Sequence, residues 1–354
     1  MKIDCLIIGQ GICGSFLSWQ LEKAGLSFLV IDNASPGTAS RSAAGIINPI
    51  TGRRMVKTWM IDELLPFLLN AYQELGASLG IEFISQKNIV DFFPTPQMRE
   101  AFLKRLEEDS QYLSIGREDS AWRNWFNDDF GWGEIKPVYL VDMNLLLISS
   151  WNRLVKKNQL LAEHFDQEKL IIKERGIEYK GIFSEKIIFC DGLGSMNNPY
   201  FKNLPFAPNK GEALILDIEN FPANHIFKKG ISIVPWKDGL FWAGSSYEWS
   251  FNHLLPTEFF RKRMETVLQK WLKMSYKIEE HIASVRPATV ERRPFVGFLP
   301  TCPQIGILNG MGTKGCSLAP YFAKQLVDNI LSGHSIQPEA DIKRFSGILS
   351  RPIA

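Results

Sequence analysis

Cysteine is scarce and scattered in this chain of 354 residues: five thiols, Cys5, Cys13, Cys190, Cys302 and Cys316, contain no CxxC pair. An odd, dispersed set excludes a disulfide framework and offers no zinc spacing, so no metal is expected and a reducing cytoplasm suits the protein. Long apolar runs are also missing. None approaches the roughly 20 residues of a membrane-spanning helix, although hydrophobic residues make up 45% of the chain and charged ones 22%, as in ordinary globular proteins. Charge of one sign is lacking too. Forty Lys and Arg against 38 Asp and Glu leave +2, too little to attract nucleic acid to the whole surface. Nucleic acid is therefore not expected as a partner, whereas a small anionic molecule is. Met1 and Lys2 run directly into an apolar segment with no signal-peptide cleavage pattern, so the chain is expected to be folded from its first residue.

What is present is punctuated by glycine. Residues 3–8 form an apolar run, 12–24 have helical spacing, and 28–31 form a second apolar run ending at Asp32, which together predict a βαβ unit. Between 60 and 80, Leu64, Leu65, Leu68, Leu69, Tyr72 and Leu75 repeat at helical steps. A strand is expected over 89–93, a charged helix over 97–109, a helix over 141–157 opened by Asp142, and short strands over 170–188. Residues 213–218, 231–235 and 240–245 read as strands, with a hairpin turn at Lys237, Asp238 and Gly239, and 257–272 reads as a helix. Strand 305–308, a glycine turn over 309–315 and a helix over 317–331 follow. The return to strand, turn and helix predicts a discontinuous first domain, 1–82, 139–207 and 282–354, with 83–138 and 208–281 inserted as a second.

Gly9, Gly11 and Gly14 fit GxGxxG. The first makes a tight turn, the second lets backbone reach a pyrophosphate, and the third lets helix and strand pack closely. A pyrophosphate then meets the open amides and positive dipole end of the following helix. Asp32, eighteen residues past Gly14, ends the next strand where a carboxylate accepts from ribose hydroxyls. This turn fits NAD and FAD alike. A second glycine turn and helix near residue 315 favours FAD, because an extended FAD needs its isoalloxazine end held and a simple NAD dehydrogenase has no such need.

In sequence order, Gly9 to Asp32, the TASRSAAG stretch from Thr38 to Gly45, Val141 and Asp142 to Leu145, and Lys186 to Ser195 resemble the D-amino acid oxidase family of flavoproteins. So do Lys210, Gly211 and Glu212, the VRPAT stretch from Val285 to Thr289, Pro294 to Gly297, and NGMGTKG from Asn309 to Gly315. That family includes glycine and sarcosine oxidases, and the resemblance spans nearly the whole chain. It implies an α/β fold: a Rossmann-like FAD domain of the glutathione-reductase type, with an inserted α+β substrate domain whose antiparallel sheet roofs the flavin. FAD is expected to be non-covalent, since Ala288, Thr289, Val290 and Glu291 follow Pro287 where sarcosine oxidases carry their attaching cysteine, and Cys316 lies off that motif.

Cofactor contacts are expected from Gly9, Gly11, Ile12, Cys13, Gly14, Asp32 and Asn33, and from Ser40, Arg41, Ala43, Ala44 and Gly45. Ile172, Cys190, Asp191 and Gly192 join them, as do Gly310, Met311, Gly312, Thr313, Lys314 and Gly315. Arg286 falls at the family's carboxylate-binding arginine and Lys314 at a second, lysine contact. Tyr247, Trp236 and Trp242 lie on strands expected over the flavin; Arg286, Lys314 and Tyr247 are the candidate catalytic residues. Arg53, Arg54 and Lys57 would add positive potential at the pocket mouth or form a solvated basic face.

The reaction implied is oxidation of the C–N bond of a small amino acid or N-substituted amino acid by hydride transfer, with hydrolysis of the imine and with oxygen or a quinone as acceptor. Three other readings stay open. Oxidation of a 2-hydroxy acid wants a base such as histidine near the alcohol, and His164, His225, His253, His281 and His334 all lie outside the matched motifs. Oxidation of a carboxymethylamino group on a modified tRNA wants a basic face. Flavin binding without turnover is the third.

Overall fold

The computed structural model describes residues 1–52, 54–116 and 121–350; Arg53 lies outside them. Strand β1 (Lys2–Ile8), helix α1 (Ile12–Lys23) and strand β2 (Phe28–Ile31) form the first βαβ unit, with β1 and β2 parallel. Cys5 and Ile7 of β1 enter one core cluster while Leu6 and Ile8 enter another. Burial on both faces explains why this strand reads as an unbroken apolar run.

The helical turn α2 (Ala39–Ser42) and short strands β3 (Ile46–Ile47), β4 (Ile50–Thr51) and β5 (Val56–Lys57) lead to α3 (Ile61–Leu79). Next come β6 (Ile84–Gln86), β7 (Ile89–Phe92), α4 (Pro96–Glu108), β8 (Leu113–Ile115), β9 (Trp132–Ile135), β10 (Tyr139–Val141) and α5 (Met143–Lys156). Asp142 caps α5 as expected, accepting from Leu145 N at 2.9 Å. Beyond it run β11 (Leu160–Leu161), β12 (Leu170–Lys173), β13 (Gly176–Tyr179) and β14 (Ile182–Phe189). The second half holds β15 (Asn209–Asp217), β16 (Ile226–Lys229), β17 (Ile231–Pro235), β18 (Phe241–Gly244), α6 (Glu258–Trp271) and β19 (Lys277–Arg286). β20 (Phe295–Leu299), β21 (Cys302–Asn309) and α7 (Gly315–Ser332) return to the first domain.

One sheet has the parallel order β11-β2-β1-β14-β21, with β20 antiparallel outside β21 and the β12–β13 hairpin pairing with the start of β14 on the same edge as β21. Helices α1, α3 and α7 pack together on one face, where Phe16 meets Tyr72 edge-on at 5.1 Å. The second large sheet runs β19-β15-β18-β17-β16-β7-β9-β8, antiparallel except where β16 meets β7. Phe260, Met264, Leu268 and Trp271 of α6 close its outer face. This is the expected pairing of a parallel nucleotide-type sheet with an antiparallel inserted one.

Two segments fall across the boundaries read from sequence. β19 passes through residue 282 and pairs with β15 along its whole length, so 282–286 belong to the inserted sheet. β6 pairs with β10, which also pairs with β3, so 84–86 join a small separate sheet rather than the roof. The hairpin turn at 237–239 is formed with Asp238 and Gly239 at φ 57° and 76°, the left-handed backbone a tight hairpin requires. Among the described residues all five cysteines are free, no helix is long and apolar enough to cross a membrane, and no His, Cys, Asp or Glu cluster could hold a metal.

Candidate active site

A cavity of about 840 Å³ lies between the C-terminal ends of the parallel strands and the inner face of the antiparallel sheet, toward the upper end of the range for small-molecule sites. Gly9, Gly11, Ile12 and Cys13 line it where β1 turns into α1. Gly9 has φ +100°, and a Cβ there would sit 2.6 Å from the Cys190 carbonyl oxygen. Gly14 serves from behind the wall: a Cβ on it would lie 1.9 Å from Gly9 O, so only glycine lets α1 close onto the turn. No side chain caps α1 at its Gly11 N-cap; Ser40 Oγ reaches one amide, accepting from Ile12 N at 3.1 Å. The first-turn amides and the positive dipole end thus face the cavity.

Asp32 and Asn33 line the same end. The Asp32 carboxylate is fixed by two backbone donors, Gln10 N at 2.7 Å and Ala34 N at 2.6 Å, leaving a lone pair on each oxygen for a ligand hydroxyl. Glu163, His164 and Phe165 complete this end. They follow β11, which lies parallel beside β2, and the short apolar pair Leu160-Leu161 after α5 is the signal that places them. Ser40, Arg41, Ala43, Ala44 and Gly45 line the middle, with Cys190, Asp191 and Gly192 opposite them. Burial pushes the Asp191 carboxyl up to about 6, against the hydrogen bond it accepts from Ser195 Oγ. Asn309 Nδ2 ties this turn to the end of β21, donating to Gly192 O at 2.8 Å and Ser195 Oγ at 2.9 Å.

Met311, Gly312, Thr313 and Gly315 line the cavity; Gly310, at φ +75°, is buried behind it. Lys314 is at the N-cap of α7 and does not line the cavity. Its ammonium donates to Thr58 Oγ1 at 3.4 Å, and burial lowers its pKa to about 8. Ile172 is not brought to the site at all. It lies exposed on β12, in the hairpin at the far flank of the sheet from β2 and Asp32, whereas the residues after β11 line the cavity.

Over this floor the inner sheet face presents Arg286, the last residue of β19. Its Nη1 donates to Asn209 Oδ1 at 2.7 Å and its Nη2 to Ser245 Oγ at 2.8 Å. Tyr247, half exposed and outside the cavity lining, holds its ring 5.4 Å from the guanidinium. No carboxylate among the described residues lies within ion-pair distance of Arg286, and burial alone lowers its pKa while leaving it charged. Trp242 lines the roof and donates from Nε1 to Ser42 O at 3.2 Å, linking roof to floor, whereas Trp236 packs into the core. Lys57 leaves the pocket mouth for an ion pair with Asp62 at 2.7 Å.

The family described as FAD dependent oxidoreductase (DAO) matches residues 4–329. The chain belongs to this family. Glycine oxidase of Pseudomonas aeruginosa is 21% identical over 360 aligned positions, covering 94% of this chain and 96% of that one. Among solved structures, glycine oxidase of Geobacillus kaustophilus superposes with a TM-score of 0.81 at 15% identity, each chain covered completely. Iminodiacetate oxidase of Chelativorans sp. BNC1 does so at 0.76 and 19%, covering 97% of this chain and 98% of that one. The enzyme is thus an FAD-dependent oxidoreductase.

The residues present fit FAD. Uncapped α1 amides suit a diphosphate, the anchored Asp32 suits a ribose, and the second uncapped helix end, at α7, lies beside Met311 to Gly315 with its dipole aimed at the opposite end of the cavity. A side chain at residue 9, 14 or 45 would collide with backbone, since the Cβ of a residue at 45 would lie 2.0 Å from Val141 O.

Proposed function

We propose that this flavoenzyme oxidises the C–N bond of a small amino acid or N-substituted amino acid. The observation that carries the reading is the unpaired guanidinium of Arg286, held by Asn209 and Ser245 on the wall of the cavity. A partly buried cation with no counter-ion among the described residues favours an anion from outside, and its planar fork matches a carboxylate bidentately. Glycine and iminodiacetate, on which the named relatives act, are both amines bearing carboxylates.

Bound FAD supplies the hydride acceptor. Arg286 fixes the carboxylate and hence the direction of the neighbouring C–H bond, which is an entropic contribution to catalysis. As the carbon loses hydride, the nitrogen lone pair forms C=N; water then adds to the imine and releases an oxo acid and an amine or ammonia. An amine that has shed its proton to solvent requires no protein base. Oxidation of a hydroxy acid would require one, and the histidine that lines the cavity, His164, belongs to the Asp32 end.

Arg286→Met tests the assignment. Losing a charge-assisted hydrogen-bonded partner costs about 1.5–3 kcal/mol, so KM for the amine substrate is expected to rise roughly tenfold or more with flavin content retained. An unchanged KM would take Arg286 out of the site.

A further inference from the structure

The loop after β18 and the start of α6 display large apolar side chains to solvent. Leu255 and Phe259 are 71% and 78% exposed, and Tyr247, Trp249 and Leu254 are each exposed over half their surface or more. Scattered exposed apolar residues are ordinary, whereas a contiguous group marks a surface that something covers. This group is contiguous. Lys210 joins its two ends, exchanging two backbone hydrogen bonds of 2.9 Å with Glu248 and donating from its ammonium to Leu255 O at 2.7 Å. The rings of Tyr247 and Trp249 meet edge-on at 5.2 Å. Thr257, held by Glu212 through its amide and its hydroxyl, caps α6 by accepting from Phe260 N at 3.2 Å, and so fixes Phe259 in the first turn. A surface anchored in this way loses little freedom when it is covered.

Along α6 the same surface continues as a row of cations. Phe260, Met264, Leu268 and Trp271 take the side of that helix that packs on the sheet. At about 3.6 residues per turn, the opposite side carries Phe259, Lys262, Arg263, Thr266 and Lys270, all of them exposed. No acid interrupts the row. Glu258 and Glu265 lie on its flank: Glu265 pairs with Arg261 at 3.3 Å, and Glu258 reaches Lys262 at 3.8 Å with both side chains exposed, a pair of little worth. Glu248, at the other end of the patch, is half-buried. Arg263 and Lys270 have no ion pair among the described residues.

We infer that this patch binds the surface of an anionic lipid bilayer, with Trp249, Leu255 and Phe259 entering the boundary between headgroups and acyl chains and Lys262, Arg263 and Lys270 meeting lipid phosphates. Projecting apolar side chains flanked by Lys and Arg are what such a surface takes up, and Tyr and Trp suit its wet edge. A bilayer needs no matching pocket. A second copy of the chain would set projecting side chains against projecting side chains, and cation row against cation row, across a two-fold axis. Leu254 also lines the cavity, so the docked enzyme holds the rim of its active site at the lipid surface.

Flotation of the FAD-loaded enzyme with vesicles of phosphatidylcholine alone, and of phosphatidylcholine mixed with phosphatidylglycerol, tests this. Each cation held near an anionic surface contributes about a fivefold gain, so Arg263 and Lys270 predict binding at least about 20-fold tighter to the mixed vesicles, weakening as salt is added. Replacing both by Gln is expected to remove that preference largely. The double variant Leu255→Ser, Phe259→Ser alters only exposed side chains, and is expected to keep its flavin content while binding mixed vesicles at least about tenfold more weakly. No binding to vesicles, equal binding to both compositions, or binding unaltered in the Leu255 and Phe259 variant would overturn the inference. So would a dimer, seen by light scattering without lipid, that the same variant abolishes; the patch would then belong to a second copy. Substrate is absent throughout, so the result stands apart from the C–N reading.

Discussion

Arg286 can lie across β15 because residue 211 has no side chain. A Cβ there would sit 2.0 Å from Nη2 and 2.4 Å from Cζ of Arg286, and the flexible end of the arginine, rather than backbone, would yield. Gly211→Ala is therefore expected to fold and bind FAD while raising KM at least about tenfold, the loss of one charge-assisted hydrogen bond. Steady-state kinetics against flavin content checks this, and an unaltered KM would mean the guanidinium position is not needed. Arg286 was legible in sequence through the VRPAT stretch that resembles the family, not through the strand that carries it. Lys314 was legible only as a motif letter; whether its ammonium enters the cavity or turns to Thr58 depends on segments more than 250 residues apart, as the Thr58 contact shows. Ile172 was misplaced because a short strand in a run of short strands carries no sign of which sheet edge it occupies, and Glu163 to Phe165 follow a two-residue strand too brief to show a period.

At the scale of elements, the outer face of the β15–β19 ladder buries a charged cluster that fastens the loop after β18. Lys210 Nζ donates to Leu255 O at 2.7 Å and lies 3.2 Å from Glu212 Oε1, while His281 Nε2 approaches Glu212 Oε2 at 2.9 Å. The His281 ring stacks on Phe260 of α6, near Glu258 and Arg261. Burial outweighs Glu212 and lowers the His281 pKa below 6.5. The folded chain then holds fewer protons here than the unfolded one, so stability is lost as pH falls from about 6.5 through the folded pKa, by at most about 1.4 kcal/mol per pH unit. Urea unfolding at pH 7 and 5.5 should show a smaller loss for His281→Gln than for the parent; equal losses would remove His281 as the cause. Asp191, raised to about 6, contributes the opposite slope in both proteins and cancels from the comparison. β19 itself escaped sequence reading because it alternates poorly, running exposed and half-buried along most of its length, whereas β1 and β17, buried in clean runs or bounded by turns, did not.

In the whole molecule, the cofactor sheet is assembled from β1, β2, β11, β14 and β21, drawn from both ends and the middle of the chain, and the roof from segments between them. Recurring glycine turns made that alternation visible in sequence; pairing partners, and so the boundaries at β6 and β19, were not, since register is fixed by tertiary packing. The layout sets a dinucleotide-type floor against a roof bearing the Arg286 guanidinium, an arrangement proposed above to oxidise amino acids at flavin. Anaerobic mixing of the FAD-loaded enzyme with sarcosine, small D- and L-amino acids, lactate and glycolate reads that directly through bleaching of the flavin band. Bleaching by an amine and not by either hydroxy acid is the predicted result; bleaching by hydroxy acids alone would contradict it.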